Sequence, residues 1–116
     1  MELNFITEPS QTPQPKEDIR IESLTVTPYP DRKRYRVDIN ITPFAPRDRP
    51  SLTITATSQP KYPLPSAEIV ETMRNTLSIT LHGKEEIPSG TLLTFYATLY
   101  YDIENPQHLL ETAISV

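Results

Sequence analysis

Two histidines, a run of basic residues and two tyrosines on one strand are the side chains best equipped for chemistry or recognition in this chain of 116 residues. His82 and His108 are the reactive candidates. Neither has a second histidine at ligand spacing, and the chain contains no cysteine, so no thiolate nucleophile, disulfide or Cys-based metal site is possible. The strand pattern described below places the two histidines at opposite ends of one domain, on the order of 20 Å apart, where they cannot share a metal or a proton. Among the carboxylates, Glu85 and Glu86 adjoin on a turn, and Glu68 and Glu71 fall on an edge segment. A hydrolytic pair needs two carboxylates facing one cleft in different environments, and no such pairing is legible. There is no glycine-rich phosphate loop, nucleophile elbow or HExxH motif. The expectation is a protein that is not an enzyme and holds no metal or cofactor.

Recognition is the remaining chemistry, and two surfaces offer it. Six basic residues (Arg32, Lys33, Arg34, Arg36, Arg47, Arg49) against Asp38 and Asp48 give the window 32–49 a charge of +4. A chain of total charge -4 is thereby left with -8 elsewhere. The overall negative charge argues against a nucleic-acid or anionic-membrane partner. The window itself reads either as a site for phosphate or an acidic partner, or as cross-loop ion pairs between Arg47 and Arg49 and the acidic residues Asp102 and Glu104. The second surface is Tyr96 and Tyr100, flanked by Thr94 and Thr98. These are outward aromatics that could meet the N-terminal tail, a partner, a second copy, a sugar, or only their cross-strand neighbours.

The elements that must carry these residues are strands. The stretch 91–101, TLLTFYATLYY, alternates Leu93, Phe95, Ala97, Leu99 and Tyr101 with more polar partners, the period of two of a pleated strand. Thirteen prolines punctuate the chain against only two glycines; proline cannot donate to a ladder, so each cluster marks a boundary. Between the clusters lie 19–27, 33–42, 51–57, 75–82 and 108–116. In 19–27 the apolar phase shifts from Ile19 and Ile21 to Leu24 and Val26, which implies a bulge at Glu22 and Ser23. In 33–42, Arg34 and Arg36 point outward while Tyr35, Val37, Ile39 and Ile41 point inward. The segment 66–73 suits either a helical turn behind Ser66 or a short edge strand with Ile69 and Met73 on one face; the strand reading is favoured. Residues 1–18 read as a flexible Pro-rich tail in which Leu3 and Phe5 could form a strand of their own. The reading is therefore all-β: a seven-stranded antiparallel sandwich over 19–116, preceded by the tail 1–18.

Ile87-Pro88-Ser89-Gly90-Thr91, leading into the aromatic strand, resembles the corner by which fibronectin type III and related immunoglobulin-like domains enter their penultimate strand. Leu93 stands where that family places a tyrosine, and the chain has no tryptophan. The resemblance implies an immunoglobulin-like sandwich. That architecture hosts many functions and carries no activity with it.

Together these observations lead to an expected non-catalytic interaction or accessory module whose partner is another protein or a second copy of itself. The alternative is a carbohydrate or small-ligand module using the tyrosine face or the loop at 102–107. The opening MELNFITEPS has neither a basic n-region nor an apolar h-region, and no apolar run reaches membrane-spanning length. With the missing cysteines, this suggests a cytoplasmic protein without membrane insertion.

Overall fold

A computed structural model describes residues 12–116. The expected bulge lies where the phase of the first strand shifts. In β1 (Ile21–Pro28) the pairing slips between Ile21 and Ser23, and this slip allows Ile21, Leu24 and Val26 all to be buried. The remaining strands are β2 (Arg34–Ile41), β3 (Ser51–Gln59), β4 (Ala67–Ile69), β5 (Thr76–His82), β6 (Leu92–Tyr100) and β7 (His108–Ser115). They form two antiparallel sheets, ordered β1-β2-β5 and β4-β3-β6-β7. The only helical element among the described residues is a 3-10 turn at Lys16–Asp18.

One core lies between the inner faces. Tyr35, Val37 and Ile39 of β2 meet Leu52 and Ile54 of β3 and Leu93, Phe95, Ala97 and Leu99 of β6, all essentially without exposure. The Tyr35 and Phe95 rings join the two sheets, with centroids 5.4 Å apart and a 55° tilt, an arrangement worth about 0.5–1.5 kcal/mol beyond burial. At the corner before β6, Gly90 takes φ +90°, a conformation that glycine adopts without strain. Thr91 closes the turn: its hydroxyl donates to the Pro88 carbonyl at 2.6 Å.

One expectation is corrected. The segment 66–73 is neither a helical turn nor a strand throughout: pairing with β3 stops after three residues at Ile69, and Met73 is exposed rather than facing inward. The stop has a local cause. Glu71 adopts φ +48°, outside the strand region, and donates its N–H to Ser51 Oγ at 2.9 Å. Residues 14–19 lie against the domain. Gln14 donates its N–H to the Pro43 carbonyl at 2.9 Å, beside a bridge to Phe44, and Gln107 Nε2 donates to the carbonyls of Lys16 and Ile19. The strand suggested at Leu3 and Phe5 lies outside the described residues.

His108 has a structural role. Its Nδ1 accepts the N–H of Ile21 at 3.0 Å, tying β7 to the bulged start of β1. Burial, followed by the nearby Arg20 charge, pushes its pKa down. A group whose folded pKa is depressed in this way binds its proton more readily in the unfolded chain. Stability is therefore full above the unfolded value of about 6.5 and declines as pH falls below it. Chemical denaturation of wild type should show this decline between about pH 7 and 5.5, whereas His108→Asn, which keeps an acceptor but cannot titrate, should be flatter over the same interval. Equal slopes in the two proteins would remove His108 as the cause.

Candidate functional site

The start of β1, the β2–β3 loop, the β4–β5 loop and the β6–β7 loop all gather at one end of the sandwich, as the strand order requires. Between them lies a polar cleft of about 300 Å³, lined by Lys16, Pro46, Arg47, Arg49, Ser51, Glu71 and Tyr101. Tyr101 follows β6 directly and is half-buried. Its hydroxyl donates to the Asp48 carbonyl at 2.7 Å, which pins the β2–β3 loop. Burial, with the Asp48 carboxylate as a lesser cause, pushes its pKa up to about 12, so the phenol stays protonated as a donor at neutral pH. Lys16 places its ammonium 4.7 Å from the centre of the Tyr101 ring, a contact worth about 0.5–1 kcal/mol at an exposed site. The two Gln107 hydrogen bonds to the carbonyls of Lys16 and Ile19 hold that stretch in place.

Opposite Lys16, Arg49 Nη2 lies 3.7 Å from Glu71 Oε1. Both side chains are partly exposed, so the pair contributes at most about 1 kcal/mol and is open to competition from another carboxylate. The left-handed backbone at Glu71 costs on the order of 1–3 kcal/mol; it is held by Ser51 and by the Thr72 N–H donated to the Pro50 carbonyl at 2.9 Å. Arg47 is exposed and has no ion pair among the described residues. The expected cross-loop pairing with Asp102 and Glu104 does not form. Asp102 instead accepts from the Glu104 N–H and from Asn105 Nδ2, bonds that hold its carboxyl below the usual range. The β6–β7 loop is thus a turn closed on itself.

The remaining basic residues lie away from the cleft. Arg34 pairs with Asp31 at 2.9 Å and stacks over Tyr29 at 4.4 Å, while Arg36 pairs with Asp38 at 3.2 Å. Arg32 pairs with Glu86 at the opposite end of the domain. Of the basic window, the cleft takes Arg47 and Arg49 and leaves Arg34 and Arg36 outside.

The two tyrosines also separate. Tyr100 faces outward from β6 but is only 8% exposed, and its hydroxyl donates to Glu68 Oε2 at 2.6 Å, from β4 of the same sheet. That hydrogen bond is the main reason its pKa is raised. An open two-tyrosine face is therefore not present. Tyr96 is half-buried and lines a shallow depression with Thr57, Ser58, Gln59, Leu92 and Thr94.

His82 faces solvent at the far end of β5, opposite Arg34, and His108 lies at the cleft end. Among the described residues no three His, Cys, Asp or Glu side chains converge as metal ligands, and no helix is long and apolar enough to cross a membrane. No family model and no curated protein matches this chain.

Proposed function

We propose that the chain is an immunoglobulin-like sandwich acting as a non-catalytic protein-interaction module, and that its loop-end cleft receives a carboxylate from an acidic partner segment. The fold reading draws on the strand order. As in immunoglobulin sandwiches, β1, β2 and β5 share one sheet and β3, β6 and β7 the other, with β4 transferred to the edge beside β3. The site reading rests on one observation: Lys16, Arg47 and Arg49 converge on a cleft whose one lining carboxylate among the described residues is Glu71. An incoming carboxylate can take the place of Glu71 on Arg49 and gain Arg47 and Lys16 at the rim. Rim charges of this kind act mainly on association rate and salt dependence.

Fluorescence anisotropy with a labelled hexaglutamate peptide tests the reading through Glu71. In Glu71→Gln the competing carboxylate is gone, so the peptide should bind several-fold more tightly, roughly the effect of ~1 kcal/mol, with an affinity that falls as salt rises. Unchanged or weaker binding in Glu71→Gln would place the peptide elsewhere.

A separate observation favours a second reading. The Tyr96 depression combines an aromatic ring with the hydroxyls of Thr57 and Thr94 and the amide of Gln59, a set of groups suited to a sugar ring. Sugar binding on a glycan array that is lost in Tyr96→Ala and retained in Glu71→Gln would favour a carbohydrate module over the acidic-partner reading.

A further inference from the structure

The free strand edges of the two sheets are not equally protected. β1 carries a bulge, ends in Pro28 and has its Ile21 N–H capped by His108. β4 is three residues long and bears Glu68. β7 carries Glu111 and lies alongside β1. Bulges, prolines, charge and shortness are the usual devices that prevent an edge from pairing with another chain. β5 has none of them within its length: TLSITLH is uncharged at neutral histidine, free of proline and seven residues long, and the loop residues Pro63, Leu64 and Pro65 lie beside only its last residue, His82.

Its backbone parity is set by its flanks. The Asn75 carbonyl accepts the Ile41 N–H at 2.7 Å, and the Gly83 N–H donates to the Lys33 carbonyl at 2.7 Å. The odd residues Leu77, Ile79 and Leu81 therefore bond to β2, while the N–H and C=O groups of Thr76, Ser78, Thr80 and His82 point to the open edge. Among the described residues, no other backbone segment or side chain bonds these four. Leu77 and Ile79 face the core yet remain half-buried, because the opposing edge strand β4 is so short.

The strand is also nearly palindromic in chemistry about Ile79: Ser78 mirrors Thr80, Leu77 mirrors Leu81, and Thr76 mirrors His82. We infer that β5 pairs antiparallel with β5 of a second copy about a two-fold axis at Ile79, joining two three-stranded sheets into one. In that register the outward groups of Ser78 and Thr80 of the second copy bond reciprocally, as do those of Thr76 and His82. Leu77 meets Leu81, Ile79 meets itself, and no charged side chain within the strands opposes another. Such an interface is isologous and closes at two copies. Beyond the strand ends Arg74 would approach Lys84 of the second copy, so pairing strengthens as salt screens them. The edge lies apart from the loop-end cleft, and the dimer does not depend on what the cleft binds.

Sedimentation velocity of the full chain, from about 10 μM to 1 mM, should show the mass rising from monomer toward dimer, as expected of an interface near or below ~1,200 Å². Thr80→Pro removes an edge N–H without removing a β2 ladder bond and should stay monomeric. In this cysteine-free chain, Ile79→Cys places two thiols on facing residues of a non-hydrogen-bonded pair, about 4.5 Å apart at Cα and within disulfide reach. Oxidation should trap it as a covalent dimer, while Leu77→Cys, which faces Leu81 of the second copy, should not be trapped. The cysteine pair decides the matter if Thr80→Pro fails to fold. A wild type monomeric to about 1 mM, a Thr80→Pro that dimerises like wild type, or equal trapping of both cysteine variants would overturn the inference.

Discussion

Replacing Phe95 with alanine is expected to cost about 3–5 kcal/mol of folding stability. The ring is fully buried; it packs on Tyr35 from the opposite sheet at 5.4 Å, and its own strand is enclosed by β3 and β7, so the surrounding backbone cannot collapse into the void. A loss of this size is a large share of the ~5–15 kcal/mol a domain of this kind possesses. Urea unfolding would show it as a lower midpoint with an unchanged slope. Tyr96→Ala, one residue away on the other face, should cost far less, because its ring is only half-buried in a shallow depression. If Tyr96→Ala were the more damaging of the two, the register of β6 would be wrong.

The second large effect is on binding. Reversing Arg47 and Arg49 together to glutamate should weaken hexaglutamate binding by at least about a hundredfold, roughly tenfold for each position. Each reversal removes an attraction and adds a repulsion at the cleft. Stability should change little, since Arg47 has no ion pair among the described residues and the partly exposed Arg49–Glu71 pair is of the weakly contributing kind. A double reversal that bound the peptide like wild type would remove the cleft from consideration. Reversing Arg34 and Arg36 serves as the internal comparison: both are paired with Asp31 and Asp38, away from the cleft, and their loss should leave hexaglutamate binding within a few-fold.

These effects separate what periodicity can convey from what it cannot. The alternation of Leu93, Phe95, Ala97 and Leu99 discloses which side of β6 is buried, because the side-chain period of a strand is a local property. The shift from Ile21 to Leu24 likewise discloses the bulge. The cleft, by contrast, is assembled from Lys16, Arg47, Arg49, Glu71 and Tyr101, brought together by chain topology across more than half the sequence. Nothing in the residues around Glu71 signals its left-handed backbone, which depends on a hydroxyl twenty positions earlier at Ser51. The same non-local logic hides Tyr100: its phase on β6 points outward, yet Glu68, two strands away on β4 of the same sheet, accepts its hydroxyl. Asp102 and Glu104 lie on the loop next to Arg47 and Arg49, but the local bonds of an Asx-type turn satisfy Asp102 before any cross-loop pair can form.

In the reading proposed above, the domain meets an acidic partner at its loop-end cleft. An amide-resolved NMR titration of the full chain with hexaglutamate would locate that contact residue by residue. The shifts should concentrate at Lys16, Arg47, Arg49, Glu71 and Tyr101, saturate with one affinity, and diminish at high salt. Shifts that are absent, or that centre on Arg34 and Arg36 or on Tyr96 instead, would contradict it.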